Sequence, residues 1–490
     1  MDKTQYEIWF ITGSQHLYGD ETLKQVAIHS KEITEFLSGK ISARLICKET
    51  VKTQDEILIV MKEANDCENC IGVITWMHTF SPSKMWINGL NILNKPVCHL
   101  HTQYNECLPY STIDMDFMNL NQSAHGDREH GFIYAAMRKA RKVIVGYWKD
   151  EATIIKLNIF ISACIGYKAS QQLKVCRFGD NMRDVAVTEG NKVSAQIKFG
   201  WSVNGYGIGD LVKEISLVQE YEINALMEEY RLHYDIVTEK TDSVREQAKI
   251  EIGIQRFMEK GGFQAFTTTF EDLYGLRQLP GLAAQRLMEQ GYGFGAEGDW
   301  KTAAMCYILK QMAENQATSF MEDYTYNFEK GKEMVLGAHM LEVCPTIAQG
   351  KVKIDVQPLG IGNKEAPARM IFDGKSGDAI CVSLVDLGNR FRLIVAEAEC
   401  VTIPESMPHL PVAAVMWKPK PNFHDGVMAW ILAGGAHHTV LSFQLTKEHM
   451  TDWARIMNIE CVVIDKKTDI SKFENELMVS DFMWNRKELH

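Results

Sequence analysis

Short apolar runs alternate with amphipathic stretches along the first part of the chain. Residues 8–12, 43–47, 71–75, 96–100 and 142–146 read as strands, and residues 21–37, 54–65, 83–93 and 131–141 between them carry helical periodicity. Strands that alternate with helices predict a parallel sheet covered on its faces. The pattern restarts at 173–178 and runs through helices at 210–231 and 242–259 to a strand at 263–267. Beyond residue 350 the texture changes. Apolar runs at 352–357, 368–372, 379–384 and 390–395 follow one another across Gly, Asp and Asn turns, which predicts an antiparallel sheet or barrel. Helical segments at 446–457 and 471–478 close the chain. The expected fold is therefore α/β: two doubly wound, Rossmann-like parallel-sheet domains over residues 1–169 and 170–317, followed by a mainly antiparallel β-barrel domain with helices over 318–490.

Composition narrows the function classes. The 490 residues are 46% hydrophobic and 23% charged, as in ordinary globular proteins, and are too many for one core. A net charge of −11 argues against nucleic acid or an anionic membrane as the main partner, though it allows a local basic patch. The twelve cysteines are scattered among apolar neighbours and read as reduced thiols, and Cys67-Glu-Asn-Cys70 has no second pair to make a zinc site. The N-terminal residues carry no leader pattern, and the longest apolar stretch, 427–436, is too short to span a bilayer. A cytoplasmic protein is expected.

The candidate chemistry gathers between residues 293 and 339. Gly293-Phe-Gly-Ala-Glu-Gly298 matches G-x-G-x-x-G letter for letter, but the helical pattern at 280–290 leaves only 292–294 for a preceding strand. Glu297 would also set a carboxylate where a pyrophosphate should sit. The glycines read instead as letting the chain pass close to a small ligand, with Glu297 pointing at it. Glu322, His339 and the dipeptide His437-His438 lie in apolar or glycine-rich settings. If the dipeptide is extended, its rings face opposite ways and only one joins a given site. Two carboxylates with two imidazoles form a mixed O/N shell that balances a divalent ion and suits manganese better than structural zinc. A second polar and aromatic set consists of Gly13–Gly19, which follows the first predicted strand, where the carboxyl end of a parallel sheet places ligands, and the region of His125, which leads into another helical pattern. Gly205-Tyr-Gly-Ile-Gly209 reads as a flexible loop.

These segments carry a resemblance. Gly13-Ser-Gln-His-Leu-Tyr-Gly19, the run 76–86 from Trp76 to Trp86, Gly295-Ala-Glu-Gly-Asp-Trp300, Phe320-Met-Glu-Asp-Tyr-Thr-Tyr326, Leu336-Gly-Ala-His-Met340 and Gly434-Gly-Ala-His-His-Thr439 are similar to the L-arabinose isomerase family over essentially the whole chain. The resemblance implies conversion of L-arabinose to L-ribulose, with D-galactose to D-tagatose beside it; a related isomerase preferring another aldose, of fucose type, is the alternative. It implies Glu297, Glu322, His339 and His438 as ligands of one Mn2+ per subunit, with Co2+ as a substitute, and Glu297 and Glu322 as the catalytic pair. Either glutamate fits either role, and proton transfer through an enediol and a hydride shift both fit the residues. Implied sugar contacts are Gln15, Leu17, Tyr18, His125, Met182, Phe270 and Ile361. The implied assembly is a tetramer or hexamer whose sites are shared between subunits. His130 departs from the aromatic residue the family pattern favours; it reads as a packing group, with an effect on sugar preference through nearby His125 as the alternative.

Overall fold

A computed structural model describes residues 5–487; the N-terminal residues on which the leader reading partly rests lie outside the described residues. The chain divides into two compact units, one of Met1–Lys168 with Thr451–Asn458 and the other of Ala169–Met450 with Ile459–His490.

In the first unit, strands β1 (Glu7–Gly13), β2 (Arg44–Cys47), β3 (Cys70–Met77), β4 (Val97–His101) and β5 (Lys142–Val145) form one sheet in the order β2-β1-β3-β4-β5. All its pairings are parallel. Every residue of β1 is buried, and its side chains alternate between two cores: Ile8 and Phe10 on one face, Trp9 and Ile11 on the other. That two-faced burial is why the strands read as continuous apolar runs. Because β2 and β3 lie on opposite sides of β1, the crevice at the carboxyl ends of β1 and β3 is the ligand-binding position of such sheets. The helix Glu151–Gln171 is long and apolar enough to cross a membrane by composition, which corrects the expectation that no stretch is. Its Leu157, Phe160, Ile161 and Cys164 are buried in the core of this unit instead.

The second unit holds the remaining sheets. Strands β6 (Lys174–Phe178), β7 (Ser202–Tyr206), β8 (Asp235–Ile236), β9 (Ala265–Thr267) and β10 (Gly293–Gly295) precede the barrel strands, and β10-β9-β6-β7 form a parallel sheet. They are followed by β11 (Thr318–Asn327), β12 (Met334–Ala338), β13 (Lys353–Val356), β14 (Ala368–Ile371), β15 (Gly377–Asp386), β16 (Phe391–Val401), β17 (Ala414–Pro419), β18 (His438–Ser442) and β19 (Glu460–Ile464). The order β15-β18-β11-β12-β17-β16, closed by β15 pairing with β16, is a six-stranded antiparallel barrel, and β19 adds in parallel to β16. Strands β13, β14 and β8 make a small separate sheet.

Three local readings change. The expected single helix at 210–231 is two, Ile208–Ser216 and Glu220–His233. Glu222 accepts from the backbone N–H of Gln219 and so caps a new start. The helix expected at 131–141 is Ser123–Ala136, and Arg138, with φ 51°, cannot continue it. The Gly205–Gly209 segment is no loop: it ends β7 and begins a helix.

Candidate active site

Glu297 stands in the turn between β10 and the buried helix Trp300–Met312. Its φ is 57°, a left-handed conformation unusual for a residue with a side chain, of the kind that concentrates at functional sites. The neighbouring glycines explain why the turn can be so tight. A Cβ on Gly295 would lie 2.2 Å from the carbonyl oxygen of Asp299, and one on Gly298 would lie 2.5 Å from the Cα of Asn181. Gly295 and Gly298 therefore serve close backbone packing against protein, and the short strand β10 runs through Gly293 and Gly295 themselves, one residue on from the three left for it in the sequence. The turn is tied down from outside as well: the Met182 N–H donates to the Glu297 carbonyl at 3.0 Å.

The barrel supplies the other groups. Glu322 on β11 pairs with His438 on β18 and with Ala338 on β12, and His339 follows Ala338 directly. The β11–β12 register shifts between Asp323 and Thr325, a bulge of the kind that re-aims side chains beside active sites. Glu297, His339 and His438 bring one ligand atom each within 4.8 Å of one another. Nε2 of His438 lies 3.9 Å from Oε2 of Glu297, and Nε2 of His339 lies 3.8 Å from Oε2 of Glu322. Glu322 is thus beside the compact group and not within it. His437 also reaches Glu297, at 3.3 Å, although only one histidine of the pair was expected at the site. It precedes β18 in a bend, so strand alternation does not apply to it.

Two carboxylates absent from the sequence reading orient the imidazoles. Nδ1–H of His339 donates to Glu342 at 2.5 Å, and Nδ1–H of His438 donates to Asp299 at 3.2 Å. Each leaves Nε2 for the site, the arrangement that carboxylates impose on metal-binding histidines. Their signal was spacing: Glu342 is three residues after His339, and Asp299 is the N-cap of the helix after Glu297. Phe320 packs edge-on to both imidazoles, with centroids 5.0 and 5.1 Å away.

The electrostatics follow from this enclosure. Burial pushes the Glu297 pKa up, but the His437 hydrogen bond and the His438, His437 and His339 imidazoles outweigh it and hold the carboxyl below its usual range. Burial likewise opposes ionisation of Asp299, and Lys301 with His438 more than offset it. For His339, burial lowers the pKa while Glu342, Glu322 and Glu297 raise it further. His438 is lowered by burial against the pull of Asp299, and its buried Nε2 has no hydrogen-bond partner. An orphaned imidazole nitrogen facing a carboxylate, with a second buried imidazole alongside, fits a divalent cation.

The other sequence candidates fall in two places. Phe270 stacks on His339 at 6.2 Å in the second unit, whereas Ile361 lies half-buried in the loop between β13 and β14. In the first unit, Gln15 donates to the Phe80 carbonyl at 3.0 Å, His125 stacks on Phe80 at 4.6 Å, and Tyr18 donates to Gln122 at 3.3 Å. They gather at the carboxyl ends of β1 and β3, with Leu17 82% exposed beside them. His130 is fully buried among Trp86, His99 and Tyr134, a packing position.

Parallel sheets, a closed barrel and a buried carboxylate–imidazole group define a multidomain α/β enzyme with a candidate metal centre. Family models agree along the chain: residues 2–172 match the L-arabinose isomerase N-terminal domain, 174–315 the central domain and 317–460 the C-terminal domain. The chain belongs to the L-arabinose isomerase family and is an isomerase of aldoses and ketoses. It is 57% identical to the L-arabinose isomerase of Anoxybacillus flavithermus, covering 99% of this chain and 98% of that one. Against those of Geobacillus stearothermophilus and Bacillus subtilis the identities are 58% and 54%, each covering 98% of both chains.

Proposed function

We propose that the chain interconverts L-arabinose and L-ribulose at Glu297, Glu322, His339 and His438, with Mn2+ as the resident cation and Co2+ as a substitute, and that D-galactose is turned to D-tagatose at the same place. The orphaned Nε2 of His438, aimed at Glu297 beside a second glutamate, is the observation that carries this reading. A cation held by these side chains supplies Lewis-acid polarisation of the sugar carbonyl and offsets negative charge as it develops.

The protein's own groups do the proton work. One carboxylate accepts the proton from C2 of the open-chain aldose and returns it to C1, while the other relays a proton from O2 to O1. Oε2 of Glu297 is already engaged by His437, and this supports Glu322 as the group that takes the C2 proton. Phe320 and Phe270 give the pocket an apolar wall against the imidazoles, and exclusion of water there strengthens every charge interaction. Gln15, Leu17, Tyr18 and His125 form a polar and aromatic crevice with an exposed tip, suited to completing the sugar site of another copy in a homo-oligomer.

The test is ketose formation by purified protein with manganese and a panel of aldoses including L-arabinose, D-galactose and L-fucose. L-Arabinose as the preferred substrate supports the reading, and preference for fucose overturns its substrate. Mixing a Glu322→Gln chain with a Tyr18→Ala chain tests the shared site: regained activity in the mixture supports it, and none counts against it.

A further inference from the structure

The chain is acidic overall, yet one cavity of the first unit is strongly basic. It has a volume of about 180 Å3 and is lined by Lys95, Lys139, Arg141, Lys142 and Arg455, with Asp452 as the sole acidic group among its lining residues. At about 30 Å3 per water it has room for several waters or a small polyanion. It lies at the amino ends of β4 and β5, since Lys95 precedes β4 and Lys142 begins β5. The crevice holding Gln15 and Tyr18 is at the opposite, carboxyl ends of that sheet.

Asp452 is shared by two cations, Lys142 at 2.7 Å and Arg455 at 2.5 Å. The other three meet neutral partners. Lys139 donates to the carbonyls of Leu90 and Leu93, Lys95 to that of Cys67, and Arg141 to that of Gly131. The Arg141 guanidinium lies over the Tyr134 ring at 4.7 Å, and its buried Nε has no hydrogen-bond partner. Desolvation lowers the pKa of both Lys139 and Arg141, as expected where positive charge is taken from water without compensation. Half-buried Lys95, Lys139, Arg141 and Lys142, with exposed Arg455 at the rim and one counter-charge among them, repel, and a multiply charged anion relieves that repulsion. Guanidinium groups match the tetrahedral oxygens of phosphate in paired hydrogen bonds.

We propose that this cavity is a phosphate-binding site, separate from the isomerase centre, that takes inorganic phosphate or the phosphate group of a small monoester. The test uses the full-length chain with potassium phosphate or a pentose 5-phosphate as probe, and potassium chloride at matched ionic strength as control. Saturable binding by calorimetry, with a rise in melting temperature beyond the chloride control, is expected. Lys95→Gln/Arg455→Gln should weaken phosphate binding roughly tenfold or more, the scale of lost hydrogen bonds between charged groups, with isomerase activity in phosphate-free buffer unchanged. Asp452→Asn, which removes the competing carboxylate, should tighten it, a change no structural role of Asp452 produces. Tighter binding of the monoester assigns the site to a phosphorylated metabolite, and equal binding assigns it to free phosphate. No saturable binding of either probe, equal affinity in the double variant, or weaker binding by Asp452→Asn would overturn the proposal.

Discussion

Glu322 and His438 are register partners across the antiparallel pair β11–β18. Such partners lie on one face of the barrel wall, and a slip of one residue would turn one of them away. Barrel closure thus sets the proposed general base beside a proposed ligand distant from it in sequence. Glu322→Gln keeps volume and strand pairing and removes the negative charge on which both the base and the cation-holding roles depend. Turnover should fall by a factor of roughly 10² or more, with unchanged circular dichroism. Near-normal ketose production would remove Glu322 from its role.

Glu342 acts on the site through His339. Glu342→Gln keeps an acceptor for Nδ1–H but loses the charge, so divalent metal affinity should weaken by roughly 10- to 100-fold. Manganese titration followed by calorimetry reads this directly. An unchanged dissociation constant would mean that the pairing is structural only.

Metal removal should lower stability by mass action. At roughly 100 times the dissociation constant, a bound ion adds about 2.7 kcal/mol to the folded state. Protein treated with chelator should therefore melt below protein with saturating manganese, and identical melting curves would argue against the site.

The tight turn at Glu297 makes Gly295 intolerant. Gly295→Ala places a methyl group against the Asp299 carbonyl, and overpacking of this kind costs about 1–3 kcal/mol. A lower melting temperature is expected, with a larger loss of activity than Gly39→Ala causes in a turn where φ is −85° and a Cβ meets nothing within 4 Å. Equal effects at both positions would show that Gly295 is not a packing glycine.

Burial, with His99 and Arg141 nearby, holds the His130 pKa well below its ordinary 6.5. A depressed folded-state pKa means that the unfolded chain takes the proton first. The stability tied to neutral His130 is therefore complete above the unfolded pKa near 6.5 and declines as pH falls below it, by up to about 1.4 kcal/mol per pH unit. His130→Phe should flatten the fall in melting temperature between pH 7 and pH 5 while leaving aldose preference unchanged. A fall as steep as that of the unaltered chain would refute the assignment.

Periodicity marked the first parallel sheet, because strands buried on both faces, such as β1, and helices with one buried stripe leave a direct imprint on residue order; of the barrel's six strands it marked only β15 and β16, and the runs at β13 and β14 expected beside them form a sheet of their own with β8. It misplaced what depends on caps and single dihedrals, such as the break before Glu220 and the helix end at Arg138. Glu297, Glu322 and His339 were legible as a group because they stand close together in unusual apolar and glycine-rich settings. The partnership of Asp299 with His438, the second contact from His437 and the anchoring of His339 by Glu342 were not. A hydrogen bond from His438 to Asp299 exists only once β18 is paired with β11 and the helix Trp300–Met312 is packed beneath them. The order of residues determined which chemistry was available; closure of the barrel decided which nitrogen and which oxygen face each other.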